Sequence, residues 1–332
     1  MDWNLESERL IKEREFDATL RMPPRSFERL VCLVTPHIAV NERMSVLRTG
    51  ISSLSPANQL QLLLAYLSGG FMIHLRRLIG TSRKQFYRII YRVMVAFAKV
   101  PCLDINARFP KNDSARRAVA ARFANDGENA VLLGCVGVID GWLCTINRPR
   151  QADIGTVGQA KYYSGHYMTY GINHAMQNAK QFTYAGHRKY EPKYDAFNFY
   201  LSQLRTKIER LFGFNTTKWR ILRRPLQAHL AHNIQVIAAC FQLTNYCIEE
   251  RLARDANDHL TAQDIEPLQT TRAQQRAAAA NGHSIDRILG YFPSDVIVST
   301  PGQSIVREAI VEYIASQNLT RPVRNLKRRA VD

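Results

Sequence analysis

The chain has 332 residues, 46% of them hydrophobic, enough to bury a sizeable core and to build about two domains. Lys and Arg total 45 against 28 Asp and Glu, and the net charge of +17 points to a polyanionic partner, nucleic acid before membrane. The polar, acidic opening Met1-Asp2-Trp3-Asn4-Leu5-Glu6 is unlike a secretory signal, and no apolar run reaches the roughly 18 residues of a membrane span. A soluble intracellular chain with no membrane partner is therefore expected. Cys32, Cys102, Cys135, Cys144, Cys240 and Cys247 lie mostly in apolar runs without a CxxC pair, so buried free thiols are expected rather than zinc or a disulfide framework.

Residues 1 to about 50 read as helix, broken at Pro23-Pro24, with Ser26 as a cap for Phe27, Leu30, Val31 and Leu33. Ser55-Pro56 then supplies N-cap and first helical residue for a stripe of Leu60, Leu63, Leu64 and Leu67 that ends at Gly69-Gly70. Phe71 to Leu78 reads as a short second helix closed by Gly80. Thr81 or Ser82 caps a third, with Phe86, Ile89, Ile90, Val93 and Phe97 facing inward. This is the layout of a helix-turn-helix, over about 55–99 of a helical region 1–110, and the third helix presents Arg83, Lys84, Gln85, Arg88 and Arg92 to DNA. An ordinary three-helix bundle with a solvated face is the competing reading.

Polar residues 111–129 read as a linker. Beyond them Val131 to Ile139 is an apolar strand candidate that runs into a single carboxylate, Asp140, followed at once by Gly141. Further strand candidates are Leu143 to Ile146, Met168 to Met176 and Phe182 to Ala185. Helical periodicity returns with Phe197, Leu201, Leu204, Ile208, Leu211 and Phe212, with Gly213 as a stop. A long helix over about Gln227 to Arg251 follows. Residues 252–283 form a polar linker, and 284–332 a tail with a helix around Ile305 to Ile314 and a basic end, Arg321 to Arg329, suited to phosphates or nuclear import.

Three ordered stretches carry a resemblance: Gly137-Val138-Ile139-Asp140-Gly141; Lys161-Tyr162-Tyr163-Ser164-Gly165-His166-Tyr167; and Arg205-Thr206-Lys207-Ile208-Glu209-Arg210-Leu211-Phe212-Gly213 with Lys218-Trp219-Arg220-Ile221-Leu222. Together they resemble the PIF/Harbinger-type DDE transposases and their domesticated nuclease relatives. The resemblance implies an α/β fold, an RNase H-like DDE nuclease core over 130–251, preceded by the all-α helix-turn-helix domain. It also implies an acidic triad that holds two divalent ions, Mg²⁺ or Mn²⁺, and stabilises the attacking and leaving oxygens of an in-line displacement at phosphorus. Asp140 matches the first acid and Glu209 the last. The alternatives are a turn cap before Trp142 for Asp140, and a surface pair with Arg205 for Glu209. Lys161, Tyr163 and His166 lie where the family turns toward substrate, and Lys218 and Arg220 are candidates for the DNA backbone. His166, His174 and His187 match no local zinc spacing.

The second acid departs from the pattern. The family sets it after the fourth strand, several dozen residues ahead of the glutamate helix, whereas here Phe182 to Ala185 runs almost directly into His187-Arg188-Lys189-Tyr190-Glu191-Pro192. The next aspartate, Asp195, stands in a lead-in to the glutamate helix, and one helix covering both would put it about 21 Å from Glu209. The core is thus expected to be truncated, through a deletion or an altered gene model. The expected protein is nuclear, binds DNA and cleaves it poorly. An active nuclease using Asp195 or Glu191, and a non-enzymatic partner of a second DNA-binding protein, are the alternatives.

Overall fold

The structure is a computed structural model and describes residues 3–50, 52–105, 110–126, 136–137, 141–173, 191–261 and 305–322. These fall into two compact units, one drawn from 1–109, 143–174 and 212–263, the other from 110–142, 175–211 and 264–332.

The first unit is built mainly of helices. The segments α1 (Trp3–Lys12), α2 (Phe16–Leu20), α3 (Pro24–Ile38) and α4 (Glu42–Thr49) open it, followed by α5 (Pro56–Leu67), α6 (Met72–Leu78) and α7 (Arg83–Phe97). The helix α3 begins two residues before the expected cap. Pro24 sits where a missing N–H costs nothing and its fixed φ suits a helix. Ser26 is therefore inside the first turn, buried, and its Oγ donates to Glu250 Oε2 at 3.2 Å. Ser55 and Ser82 cap as their sequence context predicts, accepting from the Asn58 and Gln85 N–H groups. Gly69 (φ +100°) permits the tight exit from α5, and a Cβ there would lie 2.9 Å from Cβ of Arg220.

The apolar stripes close the core. Leu60, Leu63, Leu64 and Leu67 are fully buried, as are Phe86, Ile90, Val93 and Phe97, with Ile89 nearly so. The helices α3, α5 and α7 pack together, and α11 (Leu230–Thr261) lies against α7. Tyr246 on α11 donates its hydroxyl to the Ser26 carbonyl at 2.7 Å, and Glu250 receives Arg29 at 2.8 Å, so polar contacts fasten α11 to α3. Trp219 is fully buried and donates Nε1–H to Thr244 Oγ1 (2.9 Å), which donates to Asn215 Oδ1 (2.8 Å).

A three-stranded antiparallel sheet completes this unit, in the order β1-β3-β2, with β1 at Leu143–Thr145, β2 at Tyr163–Ser164 and β3 at Thr169–Asn173. A four-residue helix, α9 (Gln151–Ile154), separates β1 from β2. Two strands fall inside the predicted ranges; two-residue β2 has too little pattern to read. In β3, Gly171 is required because a Cβ would lie 2.6 Å from the Leu143 side chain. Ile146 extends β1 into a parallel bridge with Leu226, whose backbone exchanges hydrogen bonds with Thr145 and Asn147 at 3.0 Å. The candidate strands Val131 to Ile139 and Phe182 to Ala185 lie outside the described residues, apart from Val136 and Gly137.

The second unit contains α8 (Asp113–Asp126), part of α10 (Pro192–Lys218), and α12 (Ile305–Ser316). The polar stretch expected as a linker is thus helical over 14 residues, capped by Asn112, whose Oδ1 accepts from the Ala115 N–H at 2.8 Å. The helix α10 passes through Gly213, the expected stop. Glycine inside a helix costs about 1 kcal/mol, and burial of Asn215 and Trp219 just beyond it outweighs that. Tyr194, Ala196, Phe197 and Tyr200 of α10 form a core with Val311 and Ile314 of α12.

Candidate nucleic-acid interface

The structure treats the acidic residues singled out from sequence unequally. Asp140 lies outside the described residues. Glu209 is exposed on α10 and holds interactions of its own; the side chain of Arg205, its proposed partner, lies outside the described residues. Asp195 belongs to the same helix, near its start, and is 8% exposed. Both its oxygens are taken by one guanidinium, Arg321 Nε to Oδ2 at 2.8 Å and Nη2 to Oδ1 at 2.9 Å, and Arg321 also lies 5.1 Å from the Phe199 ring centre. Fourteen helical residues hold Asp195 and Glu209 about 21 Å apart, too far to share two ions roughly 4 Å apart. Glu191 precedes the helix and is farther still; its carbonyl accepts from the Tyr194 and Asp195 N–H groups.

Tested against a two-metal centre, the described residues do not fit. Among them no group of three or more His, Cys, Asp or Glu side chains is placed to hold an ion.

The basic residues gather more closely. The N-terminal turn of α7 carries Arg83 and Lys84, both exposed, on an open cleft of about 690 Å³ wholly within the first unit. The second wall is the segment after β1, where Arg148 and Arg150 flank Pro149. The third is the start of α11, with His229, His232 and Asn233. The Ile146–Leu226 bridge brings the second and third walls together. Arg148 is steered by Gln159, whose Oε1 accepts from Nε (2.9 Å) and Nη2 (2.6 Å). Asp153 supplies the one carboxylate of the lining, and it binds His229 Nδ1 at 2.9 Å. The other four charges, Arg83, Lys84, Arg148 and Arg150, form no ion pair with a carboxylate among the described residues. Like charges converging in a cleft focus the field and draw in anions.

Aromatic rings form one side of the cleft. Tyr87 and Tyr91, one turn apart on α7, stack at 5.8 Å with 14° between planes, and His232 stacks on Tyr91 at 3.7 Å and 14°. Burial drives the Tyr91 phenol well above its ordinary range and the neighbouring Tyr66 phenol up to about 12, so both rings stay neutral at physiological pH.

Of the other predicted contacts, Gln85 accepts from Arg88 at 3.4 Å, Arg88 is exposed and Arg92 half-buried on α7. Lys161 is exposed on the short turn before β2 and outside the cleft lining, as is exposed Arg220. Lys218 is half-buried and turned in over the Phe214 and Trp219 rings, 5.7 Å from each centre. Sequence reasoning missed Arg148, Arg150, His229, His232 and both tyrosines. The Arg-Pro-Arg run and the His-x-x-His spacing were the only local signals, and the three walls lie far apart in sequence.

A family described as DDE superfamily endonuclease matches residues 174–245, which take in α10 with Glu209 and the first half of α11. This part of the chain is similar to that superfamily; such domains act on DNA and generally use divalent metals. The largely helical structure with its small sheet is compatible with an α/β nuclease core. No curated protein and no solved structure matches the chain. Among the described residues no helix is long and apolar enough to cross a membrane.

Proposed function

We propose that the chain is a nuclear, transposase-derived DNA-binding protein of the PIF/Harbinger type, with a helix-turn-helix over α5 to α7 and an RNase H-like endonuclease part that has lost a segment. The observation that carries this reading is the match to DDE superfamily endonucleases over 174–245, on a chain of net charge +17. Glu209 stands in the position of the last acid, and Asp140 in that of the first. Cleavage is impaired because the second acid is missing. The occupation of both Asp195 oxygens by Arg321 supports this, since a carboxylate already neutralised in a buried bidentate pair offers little net charge to a cation.

On this reading the protein holds DNA mainly through its phosphates, with α7 presenting Arg83, Lys84, Gln85, Arg88 and Arg92 and with Lys161, Lys218 and Arg220 as outlying contacts. Binding of a duplex measured across a salt series tests it. Each phosphate neutralised adds about 0.9 to the salt slope, so the affinity falls steeply with salt, and Arg88→Ala lowers the slope by about that amount. Weak affinity with little salt dependence contradicts direct binding and favours a protein that works through a second DNA-binding partner.

A further inference from the structure

The cleft of the first unit contains more than a duplex backbone needs. Besides its four cations it has a ladder of near-parallel rings, Tyr87–Tyr91–His232, whose two outer members both line the space.

Resting on the DNA-binding reading above, we propose that this cleft binds an unpaired nucleotide of a DNA strand. The two features divide the ligand between them. The guanidiniums of Arg148 and Arg150 and the Arg83–Lys84 pair take the phosphates on either side. The base extends the ring ladder, because every base offers a π-face and stacking is tolerant of sequence. A paired base inside a duplex cannot extend the ladder, since both its faces are already stacked. The cleft volume of about 690 Å³ is within the range of small-ligand pockets and admits one nucleotide.

Fluorescence anisotropy with the full chain tests this, using a labelled single strand of about 12 nucleotides with 2-aminopurine at one position, its blunt duplex, an RNA strand of the same sequence and free dAMP as competitor. The single strand binds ~10-fold or more tightly than the duplex, and 2-aminopurine emission is quenched on binding. Tyr87→Ala removes the quenching and weakens the strand by ~10-fold, whereas Tyr87→Phe keeps both. Arg148→Gln with Arg150→Gln, at exposed positions outside the core, weakens the strand and lowers its salt slope by about 1.4, leaving the quenching at saturation intact. Equal affinity for strand and duplex, with Tyr87→Ala silent, overturns the inference while the DNA-binding reading stands. Failure to bind any nucleic acid removes both. Displacement by dAMP at matched nucleotide concentration, or a preference for RNA, also overturns the assignment to a DNA strand.

Discussion

Removing the carboxylate at Asp195 separates a structural role from a metal-binding one. Its side chain is 11% exposed and that of Arg321 18%, and the two meet through paired hydrogen bonds of 2.8 and 2.9 Å. A buried ion pair broken on one side costs about 3–5 kcal/mol, because the remaining charge is stranded. Arg321→Ala also forfeits the guanidinium's place over Phe199, about 0.5–1 kcal/mol. The double variant leaves no stranded charge, so its loss falls short of the sum by about 2–3 kcal/mol. Urea unfolding of wild type, Asp195→Ala, Arg321→Ala and the double variant measures this, read from midpoints at constant slope. Asp195 anchors the segment after α12 to the first turn of α10, so nucleic-acid binding by the first unit is unchanged under native conditions. A cost under about 0.5 kcal/mol for Asp195→Ala, or two single effects that simply add, refutes the structural role.

Two further outcomes follow from the first unit. Thr244→Val keeps the shape but strands the Trp219 Nε1–H and the Asn215 Oδ1, at about 1–3 kcal/mol each, while adding it to Trp219→Phe costs less than it does alone; a thermal-unfolding cycle checks both. Burial pushes the Cys144 thiol up to about 12 from an ordinary value near 9, and the buried Cys240 thiol shifts the same way. The unfolded chain therefore ionises first as pH rises. The stability held in these neutral thiols is full below about pH 9 and is lost on the way to 12, by on the order of 4 kcal/mol for Cys144. Urea midpoints at pH ~8 and ~10.5 drop less in Cys144→Ala than in wild type.

How far the fold could be read from sequence depended on whether local chemistry and burial agreed. The helices α5 and α7 were legible because Ser55-Pro56 and Ser82 start them and their apolar residues recur at helical spacing, so cap and core point the same way. The helix α8 escaped because Ala, Arg and Asn give it no apolar face, although Asn112 caps it. Gly213 was a false stop because a glycine's intrinsic cost is small against burying Trp219 six residues on. The cleft was half legible. Arg83 and Lys84 stood out on a capped helix, but Arg148 and Arg150 join them through the Ile146–Leu226 bridge, a pairing across 80 residues, and His232 through its stacking on Tyr91, and no periodicity announces either contact. Helix geometry made the distance between Asp195 and Glu209 readable in advance, whereas the pairing of Asp195 with Arg321 was not, since 126 residues separate them.

On the proposed reading, the protein holds DNA by charge and lacks the carboxylate set needed to cut it. Strand nicking of a supercoiled plasmid in Mg²⁺ or Mn²⁺, with Asp140→Ala alongside, tests that most directly. The prediction is binding without nicking above the Asp140→Ala background. Robust nicking by the wild type that Asp140→Ala abolishes would contradict it and return the chain to the working nucleases.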